Sequence, residues 1–244
     1  MTCTYTPGVP THQLIAVAVG LTIGIVFGLR LRRANQRRAG KPLSFDFKAH
    51  GGRNFIDQTL LITNPNASDV APVLAFTALG KDGSAVPGVQ VTTAFGSDQG
   101  RLVVHSGRGF DVLAFSGPDA ALVADVRVTV KKIIAMRTAG PAGYIDAEPL
   151  DGNGKPVSRF APFTAVVLRN PHPVPVSRRI VHLAYDSPKA GASQQVVHRT
   201  PIGNLAVVPA GGELVVPVPE PVAAEIRRCS AGRAVSVKTY PSSC

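Results

Sequence analysis

The sequence predicts an all-β protein with two tandem β-sandwich domains behind one N-terminal transmembrane helix. Three observations predict it. Residues 14–29, LIAVAVGLTIGIVFGL, are apolar or neutral and run straight into a cluster of arginines. The rest of the chain breaks into short segments of alternating apolar and polar residues separated by Gly, Pro, Asn and Asp, the pattern of half-buried strands and their turns. The order of those segments then recurs about 103 to 109 residues later. Composition agrees, because Trp is absent, aromatics are 6% and charged residues 17%, while Val, Ala, Gly and Pro are abundant. Long helices beyond the first are not expected.

Residues 1–13 are polar, uncharged and interrupted by Pro7 and Pro10, and read as a disordered head. Residues 14–31 read as the transmembrane helix. Sixteen helical residues span roughly 24 Å, and Leu31 with a snorkelling Arg30 extends this toward the ~30 Å hydrocarbon core. Gly20, Gly24 and Gly28 fall on one helix face in a GxxxGxxxG pattern. Such a face lets a second helix approach closely, giving self-association through the span, but glycine is common enough in membrane helices to produce the pattern without it.

Residues 32–42 form a basic juxtamembrane collar. Arg30, Arg32, Arg33, Arg37, Arg38 and Lys41 supply six of the chain's net +11 charges, with no acid among them. Their place beside the span assigns them to anionic lipid headgroups, so membrane lipids are the first expected partner. Nucleic acid is not expected, since a phosphate-tracking surface would interleave aromatics and the collar has none. Residues 1–29 carry no charged side chain, so the basic side should stay inside and the β-domains lie in the cytoplasm of a single-pass cell-membrane protein. A cleaved signal peptide lacks its basic leader here, and Met-Thr before Cys3 does not make a lipoprotein site.

Lys41-Pro42 ends any helix. The first β-domain, residues 43–137, opens with Leu43, Phe45 and Phe47 alternating with polar neighbours. Strands follow at residues 59–63, 73–79, 89–95, 101–105 and 110–115, and Val126, Val128 and Val130 close the series. Gly107-Arg108-Gly109 reads as a hairpin turn. After a Gly- and Pro-rich linker at residues 138–144, the second domain, residues 145–244, repeats the order. Thr59 to Pro65 is echoed by Thr164 to Pro171, Gly100-Arg101-Leu102 by Gly203-Asn204-Leu205, Asp111-Val112-Leu113 by Leu214-Val215-Val216, and Val126-Arg127-Val128 by Val235-Ser236-Val237. Residues 215–221 read as an extended proline-rich strand, either offered to a partner or protected as an edge by its prolines, and residues 222–228 and 233–240 as a hairpin that keeps Cys229 away from Cys244, leaving two free thiols.

Strands this short at this spacing suit an immunoglobulin-like sandwich. The first copy, with Asn64, the run Phe76-Thr77-Ala78-Leu79, Asp82-Gly83 and the glycines at 107 and 109, resembles bacterial FxLYD-type immunoglobulin-like domains. The second copy does so through Asn170, Leu183-Ala184-Tyr185-Asp186 and Gly211-Gly212. The aromatic-acidic pair is intact only in the second copy, because the first has Gly80-Lys81 before its acid. The resemblance implies an extracytoplasmic or membrane-tethered interaction module without catalysis, and so pulls against the cytoplasmic placement.

No HExxH, CxxC, GxSxG, Walker or dinucleotide-binding pattern occurs, and the six histidines are scattered. No catalytic residue, metal ligand or cofactor is therefore predicted; His182 reads as a strand-face residue, and the acids as turn or exposed-face residues. The expected function is a membrane-anchored, non-catalytic scaffold or interaction protein with a protein partner of unspecified identity. The alternatives are a cell-surface or periplasmic immunoglobulin-like module, a nucleic-acid-handling membrane protein of a mobile element, and a membrane-bound enzyme. Topology separates the first two readings. In single-cysteine variants treated on intact cells with a membrane-impermeant thiol reagent, Cys3 labels and Cys244 labels only after permeabilisation. Labelling of Cys244 in intact cells would reverse the orientation.

Overall fold

Alternation of apolar and polar residues forces strands to find a partner layer, and the chain does so with twelve strands and one α-helix among its described residues. The computed structural model describes residues 41–51, 56–136, 145–186 and 193–242. In the first half the strands are β1 (Ser44–Lys48), β2 (Thr59–Asn64), β3 (Val70–Leu79), β4 (Gln90–Thr93), β5 (Gly107–Ser116) and β6 (Asp125–Ala135), with a 3-10 turn at Ala120–Leu122. In the second they are β7 (Asp146–Leu150), β8 (Ala165–Arg169), β9 (Val176–Tyr185), β10 (Val196–Val208), β11 (Glu213–Pro217) and β12 (Ala234–Pro241), with helix α1 (Glu220–Ser230) between the last two. The fold is all-β in character, in several antiparallel sheets.

The recurrence in sequence has a counterpart in topology. The order β1-β2-β5 in the first half matches β7-β8-β11 in the second, and the pair β3-β6 matches β9-β12. The halves differ at one strand: β4 extends the first sheet beside β5, whereas β10 pairs with β9.

Asn64 ends β2 and Asn170 directly follows β8, and both are buried at equivalent corners. Asn64 donates Nδ2–H to Ser68 O (2.9 Å) and Val104 O (3.2 Å), and its Oδ1 accepts from Asn66 N (3.1 Å). Asn170 donates to Val174 O (2.8 Å), Val208 O (3.3 Å) and Pro209 O (2.8 Å), and accepts from His172 N (3.0 Å). Each side chain thus ties its own turn to a segment distant in sequence. Pro at the next position offers no N–H, so the Asn amide satisfies carbonyls that the backbone leaves open.

Registers refine the echoes. Val128 opposes Phe76 and Val237 opposes His182, so the echoed residues Val128 and Val237 pair with the matching strands β3 and β9. Asp111 opposes Leu60, but Val216 rather than Leu214 holds the matching place opposite Val166, so that echo shifts by two residues.

The two halves, on either side of a proposed linker that lies outside the described residues, belong to one compact unit, Leu43–Cys244. Its larger core joins Leu60, Ile62, Phe95, Leu102 and Leu113 to Val181, Leu183, Tyr185, Val196 and Tyr240, and a second core gathers Val166, Leu168, Ile180, Ile202, Val208 and Ile226. Val103 N donates to Pro241 O (2.9 Å), and Gln194 N to Asp57 Oδ2 (2.8 Å), across the same junction.

Three expectations are corrected. Residues 101–105 make no strand; Leu102 and Val104 form single bridges to Ser242 and Val70, because this segment passes between two sheets rather than along one. Gly107-Arg108-Gly109 is the start of β5, paired with Asn64, Thr63 and Ile62, and not a turn. Residues 222–228 are helical, not half of a hairpin. Their signals are Pro221 in the first turn, Ala223, Ile226 and Cys229 buried at threefold spacing, and Gly232 at φ +67° just past the end. Cys229 is therefore a buried, free core residue, while Cys244 lies outside the described residues.

Asn64→Ala and Asn170→Ala should each cost about 1–3 kcal/mol in urea denaturation, since each leaves buried carbonyls without a donor. Asn→Asp at either site should do no better, because a carboxylate cannot donate.

Candidate functional site

Helix α1 begins after Pro219, whose carbonyl accepts from Ala223 N (2.9 Å), and carries Glu220 in its first turn and Arg227 and Arg228 in its last. That charge order complements the helix dipole. The buried side chains of Ala223, Ile226 and Cys229 hold the helix on the second core. Its C-terminal half and residues 159–163 enclose a cleft of about 370 Å³.

Arginine and phenylalanine give this cleft its chemistry. Arg159, Arg227 and Arg233 all line it, and no carboxylate does. The Arg159 guanidinium lies over the Phe160 ring at 5.1 Å, and Phe160 is 61% exposed, so an aromatic face and a positive charge are presented together. Arg227 is bridged to Glu220 (2.5 Å), and Arg233 donates Nη1–H to Cys229 O (2.9 Å). The cleft can take up an acidic group beside an apolar one.

Below it lies His182, fully buried on β9. Burial pushes the imidazole down to about 4. Ser230 lines the cleft, donates its hydroxyl to Ile226 O (2.6 Å), and lies 3.3 Å from His182 Nε2. The hydroxyl proton being committed to Ile226, Ser230 Oγ accepts from Nε2–H, and Nδ1 keeps a lone pair with no donor. An activated serine needs the reverse polarity and a group orienting the imidazole. Ser230 and His182 therefore form a structural pair. Asp111, also fully buried, corrects the expectation that the acids lie at turns and exposed faces. Its carboxylate accepts from Phe95 N (2.7 Å), Ser97 N (3.0 Å) and Val112 N (2.7 Å). Desolvation pushes it up to about 6 while hydrogen bonds from Ser97, Phe95 and Val112 pull it back.

Of the residues singled out in the sequence, Gly20, Gly24, Gly28, Arg30, Arg32, Arg33, Arg37 and Arg38 lie outside the described residues, and Lys41 is exposed where they begin. Among the described residues no helix is long and apolar enough to cross a membrane, and no three His, Cys, Asp or Glu side chains gather as metal ligands. The cleft was missed because its arginines stand 74 residues apart in sequence, at 159 and 233, and meet only through the helix that was read as a strand. Compared with family models, curated proteins and solved structures, the chain gives no match.

The two buried groups titrate in opposite senses. Between about pH 4 and 6 the folded chain holds a proton on Asp111 that the unfolded chain has lost, so this group's contribution to stability falls as pH rises. Over nearly the same window the unfolded chain holds a proton on His182 that the folded chain lacks, so that contribution rises with pH. Each slope is about 1.4 kcal/mol per pH unit, and they cancel. Relative to the parent chain, Asp111→Asn should lose stability on acidification from pH 6 to 4, and His182→Gln should gain it, as read by urea denaturation across that range.

Proposed function

We propose that this chain is a membrane-anchored, non-catalytic interaction protein that presents paired immunoglobulin-like β-sandwiches on the cytoplasmic side of the membrane. The immunoglobulin-like reading is supported by the shared strand order and the matching Asn64 and Asn170 corners. The anchor reading rests on the apolar run at residues 14–29 and its basic flank.

One observation carries the interaction reading: the cleft that places Arg159, Arg227 and Arg233 around the exposed Phe160. Its partner is an acidic protein segment carrying an apolar side chain, the carboxylates meeting the guanidinium groups and the apolar group covering Phe160. Placement at the cell surface is the competing reading, favoured by the resemblance to FxLYD-type domains.

The test is a pull-down from detergent-solubilised membranes with the full chain and with an Arg159→Glu, Arg233→Glu double variant. A partner bound by the full chain should be depleted about tenfold or more by the charge reversal, equivalent to losing one or two charge-assisted contacts. An identical set of bound proteins would remove the cleft from the contact.

A further inference from the structure

A second cavity, of about 180 Å³, lies where the two halves meet and is separate from the arginine cleft. Phe95, Phe110 and Tyr240 supply aromatic walls. Phe95 stacks on Tyr240 at 4.9 Å and meets Phe110 edge-on at 5.4 Å. Into this apolar lining the fold places Arg108, Arg178 and His105, and no carboxylate. Arg178 is only 3% exposed, and its guanidinium donates to Ser177 O (3.0 Å), so a positive charge is held in the interior beside an apolar space.

His105 is the more specific sign. Its side chain is nine-tenths buried. Asp69 Oδ2 lies 2.9 Å from Nδ1, while Asp69 Oδ1 accepts from Ser106 N (3.1 Å), so the carboxylate is fixed and holds the imidazole proton on Nδ1. Nε2 then has no hydrogen-bond partner. A buried polar atom without a partner costs stability unless something completes it. Asp69 on the far nitrogen also compensates the imidazolium formed if Nε2 takes up a proton as a ligand binds.

We propose that this cavity binds a small aromatic carboxylic acid, with the ring against Phe95, Phe110 and Tyr240 and the acid group held by Arg178 and His105. The size is suitable: an apolar cavity of roughly 150 Å³ takes benzene, and the space here leaves room for one small polar substituent. The charges balance when the carboxylate binds together with one proton taken up from solvent at Nε2, so that it lies between Arg178 and His105 with Asp69 behind His105.

Benzoate is the probe, titrated into the solubilised full chain and followed by saturation-transfer NMR and by the imidazole nitrogen shifts of His105. Binding at about 1 mM or tighter is expected for a ligand of nine heavy atoms. Benzamide, the neutral counterpart, should bind about tenfold or more weakly, because it lacks the charge-assisted contacts. His105→Gln should reduce benzoate affinity to a similar degree. Arg178 is too deeply buried for a safe substitution, so the benzoate-to-benzamide preference on the unaltered chain carries the charge test. No binding at about 10 mM, equal binding of benzoate and benzamide, or undiminished affinity in a folded His105→Gln chain would each overturn the assignment.

Discussion

A strand buried on both faces needs a covering layer on each side, and β9 imposes that demand on this chain. Val181, Leu183 and Tyr185 join the larger core with residues of the first half, while Val176 and Ile180 join the second core with β8, β10 and α1. The sequence of β9, VSRRIVHLAY, loses its alternation toward its end and becomes nearly continuous in apolar character, as a doubly covered strand must. Pairing follows from the same position: β10 lies on one edge of β9 and β12 on the other. The helix exists to close the second face, so its amphipathic stripe of Ala223, Ile226 and Cys229 is dictated by a strand some 40 residues earlier.

How much of this was legible depends on how local each signal is. Strands β1, β2, β3, β5 and β6 could be read because alternation and turn residues are properties of neighbours in the chain. The repeat could be read because Asn-Pro recurs at the end of matching strands, and the buried amides of Asn64 and Asn170 explain why those residues stand there. Helix α1 was misread because Val215 to Pro221 looks extended and Val222 follows without a polar break. Its helical signs, Pro221 near the start and the Ala223, Ile226, Cys229 spacing, compete with a strand reading that two flanking strands favour.

The sites divide along the same line. The expected span and collar rest on composition alone, which needs no folding to interpret, and all their named residues but Lys41 lie outside the described residues. The arginine cleft, the Ser230–His182 pair, the Asp111 carboxylate and the aromatic cavity are products of packing. Asp111 stands in an ordinary-looking Phe-Asp-Val run, and only its burial beside the amides of Phe95 and Ser97 sets it apart. His105 is one of six scattered histidines until Asp69 fixes its proton. No spacing rule links residues whose meeting depends on how distant strands, the helix and, for the aromatic cavity, the two halves pack together.

The shared core also sets an order of assembly. During vectorial synthesis the first half emerges from the ribosome with Leu60, Phe95, Leu102 and Leu113 complete in sequence, but their packing partners Val181, Leu183, Tyr185 and Tyr240 are still to be made. For the time needed to add roughly 100 further residues, on the order of 5 to 20 seconds at ordinary elongation rates, that apolar face has nothing to cover it. The nascent first half therefore exposes an apolar face until the last strand arrives, the condition under which newly made chains are open to aggregation.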